Sequence, residues 1–292
     1  MGIYAGNGKS VTVTAGKINV ITSGYEGGNT LTNAIWNDAG KDKGSQITLN
    51  GDVNLSMNGG YGGNGIAVQK TDRWGEDSHS AAEASTVTVN GNISILGTDS
   101  STWGIPVNGE NVYSRFNNAG ILVSADKGQV NVNGDLDFAV YGNGIAVNAA
   151  DSRVTAEGAH ITVPSGMKYG YYTLGAYQGT IDINTGDDGA SAGIHEVQLD
   201  GDLFALKTGS IHAALTTKNS YLHGIADNGG TVDLWLQNGA WWINEARNTR
   251  YADDNEDTGS SGASHVTHLY GGASAGEFRC FISEGQLRCY DR

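Results

Sequence analysis

"VTVNGNISIL", residues 87–96, decides the fold. Val87, Val89, Ile93 and Ile95 alternate with polar neighbours on either side of Asn90-Gly91. A strand points successive side chains to opposite faces, so these four share one face and Thr88, Asn90 and Ser94 share the other. Asn-Gly supplies the corner, because Gly, and to a lesser degree Asn, tolerates positive φ. The same shape returns as "ITLNGDVNLS" from 47, "VNVNGDLDFA" from 130 and "VQLDGDLFAL" from 197.

Working outward, "GIAV" at 65 precedes "STVTVNGNISILG", "GILVSADKGQVNVNGDLDFAVYG" begins at 120 and "GIAVNAADSRVTAEGAHITVPSG" begins at 144. The last two are 144 − 120 = 24 residues apart. Each unit reads as three short strands: Gly-Ile-x-Val, Val-x-Val and Ile-x-Ile. One such unit cannot enclose its own apolar face, whereas stacking units at roughly 4.8 Å closes a continuous core. The expected fold is therefore all-β: a right-handed parallel β-helix, a solenoid of three-strand coils, with loop insertions. Asn-Gly is also a strong hairpin signal, so a sandwich of antiparallel hairpins is the alternative. A sandwich leaves the recurrence in threes unexplained. Four insertions interrupt the units, at 69–85, 98–119, 164–179 and 244–263. In solenoids such segments collect on loops, often on the binding face.

Composition narrows the function. The chain has 292 residues, 45 of them Gly and 2 Pro, and the alternating Val, Ile and Leu give it surface to bury. Its formal net charge of −14 disfavours nucleic acid and anionic lipid as partners. No window is apolar for long enough to span a bilayer. "MGIYAGNGKS" lacks a charged region followed by an apolar one, so no signal peptide is expected. Met1-Gly2 is read as an initiator Met on an internal fragment rather than a myristoylation signal. Cys280 and Cys289 bracket "CFISEGQLRC", whose spacing suits a hairpin turning at Glu284-Gly285. A disulfide there fits an extracellular protein, and two reduced thiols are the alternative.

The coils, the Asn-Gly corners and the Ser/Thr-rich outer face resemble the passenger domains of type V autotransporters, in the pertactin-like and AIDA-like adhesin branch. "TVDLWLQNGAWWIN" from 231, an acidic insertion and "SHVTHLYGG" from 264 resemble the end of such a passenger. The resemblance covers residues 1–272, and 273–292 form an atypical tail with the Cys pair. It implies a non-catalytic adhesin or biofilm passenger at the bacterial cell surface. Such a passenger binds a host-cell or bacterial surface protein or glycan, or itself, through loops on a stalk. It is anchored through an outer-membrane β-barrel that this chain does not contain.

Chemical constellations are sparse. Gly186-Asp187-Asp188-Gly189 lacks the Ser of the serine-protease autotransporters. "NTGDD" at 184–188 and His223-Gly224 partly match polygalacturonase motifs. An inverting glycosidase needs two carboxyls roughly 6.5–9.5 Å apart, and the first motif's Asp and the Arg-x-Lys motif are missing. No catalytic residue, metal or cofactor is therefore expected. The acidic run Asp253, Asp254, Glu256, Asp257 lacks calcium-loop spacing. His265 and His268, three apart on a strand, point to opposite faces, and the remaining His residues read as surface or ladder residues. The candidate ligand contacts are Tyr169, Tyr172 and Tyr177 in the 164–179 insertion, with Trp74 and Trp103 extending an aromatic patch. Tyr171 is read as filling the core, and Trp235, Trp241 and Trp242 as capping it. The other function classes are a pectin lyase- or polygalacturonase-like polysaccharide-active enzyme and a self-stacking surface filament.

Overall fold

The computed structural model describes residues 2–23, 32–40, 42–58, 63–70, 81, 83–97, 119–140, 142–163, 171–186, 189–190, 193–247, 264–271, 279–283 and 286–290. All regular structure among them is β, and nearly all strand pairing is parallel.

Strand pairing sorts the chain into three ladders, visited in rotation. The first runs through Ile3, Ile35, Ile66, Ile121, Ile145, Leu174, Leu203 and Ala226. The second runs through Val11, Ile47, Val87, Val130, Val154, Ile181, Ile211 and Val232. The third runs through Val20, Leu55, Ile95, Phe138, Ile161, Leu199, Leu222 and Trp242. Each column is eight positions deep, so the described residues make eight rounds of the three ladders before a partial ninth at 264–271. Almost all of these column residues are buried and belong to one continuous apolar core. Fully burying each such side chain stabilises by about 1.5–3 kcal/mol, which is why like apolar residues recur at each step.

The second-to-third ladder corner explains the opening stretch. Thr86–Asn90 and Ile93–Gly97 are separate strands on the second and third ladders. Gly91 turns between them at φ 153°, above Gly51 at φ 134°. A Cβ on Gly91 would lie 2.7 Å from the Gly51 carbonyl, so both the backbone angle and the stacking distance require glycine. The copies at 47, 87 and 130 all occupy this corner. The copy at 197 does not. Its first half, Val197–Asp200, lies on the third ladder and its second half on the first, with Gly201 (φ 148°) between them. Four similar stretches thus serve two different corners.

Polar side chains close the other corners. Asn37, fully buried, donates from Nδ2 to the Ser45 carbonyl (3.0 Å) and the Thr86 carbonyl (2.9 Å) between the first and second ladders. Between the third and first, Asn64 donates to Asn33 Oδ1 (2.8 Å) and accepts from the Ala119 amide, and Asn143 accepts from the Tyr172 amide. Such bonds satisfy backbone groups that the corner removes from the ladders.

The tail belongs to the same sheet. Gln286–Tyr290 pairs antiparallel with Trp241–Asn244, and Arg279–Ser283 pairs antiparallel with Gln286–Tyr290. Cys280 stands directly opposite Cys289. Opposed antiparallel residues have Cα atoms about 4.5–5.5 Å apart, within the range a disulfide spans. Of the three C-terminal tryptophans expected to cap the core, only Trp242 enters it. Trp235 and Trp241 point outward and stack on Tyr270 and Tyr221, with centroids 4.7 and 4.8 Å apart. A strand must alternate, so Trp241 and Trp242 cannot both face inward.

Candidate functional site

Two regions stand out. The first is the edge where the third ladder hands over to the first. Segments 24–31, 59–62, 98–118, 164–170 and 248–263 all join described strands across this corner. In other rounds the same corner is only a few residues long, as at Gly201 or at Gly224-Ile225. The outward side of the first ladder beside it is apolar and buried: Ala67, Leu122 and Ala146 are fully covered, and Phe204 is 2 % exposed. The outward rows of the second and third ladders are mostly polar, with Ile21, Leu96 and the Tyr221–Trp241 and Trp235–Tyr270 stacks as exceptions.

The sequence-predicted aromatic contacts divide here. Tyr172 is 4 % exposed and stacks on Phe204 with centroids 4.8 Å apart. It is a packing residue, and no face of its ring is open to a ligand. Tyr177 is half-buried against the same Phe204, at 5.1 Å. Leu174 and Ala176 continue the inward columns, so Tyr177 falls on the covered outward side by alternation, and a register shift between Tyr172 and Leu174 turns Tyr172 onto the same side. Tyr171 does reach the core, as expected. Tyr169, Trp74 and Trp103 lie outside the described residues, as do Asp187, Asp188 and the acidic run at 253–257.

The second region was not anticipated. A cleft of about 300 Å³ opens on the outer face at the corner between the second and third ladders. Val132, Asn133, Arg153, Thr155, Glu157, Asn184, Thr185, Gly193 and His195 line it, from three successive rounds. Strands hold most of these positions, so they are fixed by ladder hydrogen bonds. Arg153 Nε donates to Asp182 Oδ2 at 2.6 Å, and the Asp182 carboxyl is 2 % exposed. Thr155 donates to Asn131 Oδ1 (3.2 Å), Asn133 donates to Asn90 Oδ1 (2.7 Å), and His195 Nδ1 lies 3.4 Å from Asp135 Oδ1. Asn184 turns the corner in the left-handed region, φ 54°, anchored from Nδ2 to the Ala214 carbonyl (3.0 Å) and Thr216 Oγ1 (2.9 Å). Its Oδ1 and the Thr185 Oγ1 are buried without a hydrogen-bond partner.

From the cleft an outward row of charge runs towards the C-terminus: Asp182, His212, Asp233 and His268 occupy successive rounds of the second ladder. His212 Nδ1 is 2.7 Å from Asp182 Oδ1, His212 Nε2 is 4.0 Å from Asp233 Oδ2, and His268 Nδ1 is 2.8 Å from Asp233 Oδ1. His160, His195, His223 and His265 also each lie within 4.0 Å of an Asp. These are the ladder residues expected from sequence, with partners that the sequence did not reveal. Among the described residues no group of His, Cys, Asp and Glu has the arrangement of a metal site. No helix there is long and apolar enough to cross a membrane.

Compared with known proteins, the chain matches no family model, no curated protein and no solved structure.

Proposed function

We propose that the three ladders are the walls of a right-handed parallel β-helix, and that the chain is the non-catalytic binding segment of a surface-displayed autotransporter adhesin. The observation that carries this reading is the shared edge: segments 24–31, 59–62, 98–118, 164–170 and 248–263 join described strands across one corner, round after round, while the insertion at 69–85 joins the first ladder to the second. A rigid stack with variable segments along one side displays contact surface without using its core residues. On this reading the ligand is a protein or glycan of a host or bacterial surface, and the protein works outside the cell. A disulfide between Cys280 and Cys289 belongs to the same proposal, and peptide mapping without reductant tests it.

The experiment is adhesion of protein-coated beads to cells, wild type against a variant whose 98–118 segment is replaced by a two-residue corner. Adhesion should fall several-fold with the melting temperature unchanged. Equal adhesion in this variant, and in matching replacements of 164–170 and 248–263, would remove the edge as the binding surface.

A further inference from the structure

We infer that the cleft at the second-to-third ladder corner is a saccharide site that takes an amine-bearing or neutral sugar and rejects acidic ones. This goes beyond the surface-display reading and does not depend on it, because the cleft lies at a different corner from the third-to-first edge.

Three observations converge on a ligand. First, two oxygens in the cleft wall, Asn184 Oδ1 and Thr185 Oγ1, make no hydrogen bond within the fold. Burying such groups unpaired costs about 1–3 kcal/mol each, and of the buried unpaired side-chain atoms among the described residues these two lie on residues that line the cleft. Second, Asn184 holds a left-handed conformation, φ 54°, that a non-glycine residue adopts at a cost. Third, the lining mixes donors and acceptors on adjacent strands: the Asn133 amide, the Thr155 hydroxyl, the Glu157 carboxylate and the His195 imidazole. A sugar ring presents the same mixture, since each hydroxyl both donates and accepts. About 300 Å³ lies at the small end of ligand clefts, which suits one or two sugar rings rather than a peptide segment.

Charge sets the preference. Arg153, the one guanidinium in the lining, is already neutralised by Asp182. Asp135 stands behind His195. Glu157 is exposed, and among the described residues no hydrogen bond or ion pair engages it. A uronic acid would bring its carboxylate to this acidic setting without a free cation to meet it. An ammonium group on a sugar would find Glu157.

The test uses three tetrasaccharides, of glucosamine, N-acetylglucosamine and galacturonic acid, titrated calorimetrically into the intact chain. The glucosamine and N-acetylglucosamine probes should saturate, the amine most tightly, with galacturonate weaker than the amine by about 10-fold or more. Glu157→Gln should erase the amine-over-neutral preference and Glu157→Arg should reverse the order against the acid. Neither should move the melting temperature, because Glu157 is exposed on the outer face. Absence of saturation with all three probes at about 10 mM overturns the inference. So does a preference for galacturonate, or a preference that both Glu157 variants leave unchanged.

Discussion

The outer row of the second ladder is written in two ways. From the first round to the fifth it reads Thr12, Thr48, Thr88, Asn131, Thr155. From the sixth to the ninth it reads Asp182, His212, Asp233, His268. Hydroxyls and amides are self-complementary: one can stand above its like at every step, donating down and accepting from above. The asparagine column Asn50, Asn90, Asn133 at the nearby corner does this, at 2.7 Å per step. Carboxylates are not self-complementary, since like charges on directly opposed positions repel. A stack that carries Asp must therefore alternate it with a partner, and this one alternates it with His. The cleft sits where the two regimes meet, between Thr155 and Asp182.

The largest effect is expected at that junction. Asp182→Ala removes the buried carboxylate shared by Arg153 and His212. Fully buried pairs lose 3–5 kcal/mol on such truncation; both partners here are partly exposed, so about 2 kcal/mol is expected. Chemical denaturation checks it. A loss no greater than that of Thr88→Ala would mean that the charged half is held like the neutral half.

A smaller effect separates the two rules of stacking. Thr48→Asp with Thr88→Asp puts like charges on consecutive rounds and should cost about 0.5–1 kcal/mol more than the two single changes together. Thr48→Asp with Thr88→His should recover most of that coupling. A double-mutant cycle with no difference between the two pairs would erase the distinction. Asn90→Ala takes one member from the exposed asparagine column, breaking its bonds to Asn50 and Asn133. Because these groups are solvated when free, the loss should be about 0.5–1 kcal/mol.

The smallest effect concerns the phenols. Burial raises Tyr171 above its ordinary value, and burial followed by Asp200 raises Tyr221. The fold therefore favours the neutral ring. That contribution is intact below the unfolded-chain value of about 10 and is lost as pH rises through the higher folded values. Thermal melting should show stability falling above about pH 10, less steeply for Tyr171→Phe.

Much of the architecture was legible before the structure, because period-two alternation and Asn-Gly corners are local signals. Val87, Val89, Ile93 and Ile95 all face the core as that alternation requires. The phase of the copy at 197 was not legible: an Asp-Gly corner reads the same whichever ladders it joins. The placement of Tyr172 was not legible either: tyrosines among glycines resemble an exposed loop, and the register shift between Tyr172 and Leu174 that turns the ring onto Phe204 leaves no mark in the sequence. The cleft and the Asp–His row were invisible for a different reason. Their partners come from separate rounds, as with Asp182 and His212, 30 residues apart. No local motif marks such pairs; only the register does.

The register is therefore the claim to test, and engineered cross-linking reads it directly. In a Cys280→Ser/Cys289→Ser background, Thr48→Cys and Thr88→Cys occupy one outward column on consecutive rounds. Parallel neighbours about 4.8 Å apart are within disulfide range. Mild oxidation of the folded double variant should link residues 48 and 88 within one chain. A protein that stays folded without forming this link, yet links Thr88→Cys to Ile93→Cys as a hairpin at Asn90-Gly91 would, contradicts the stacked ladders.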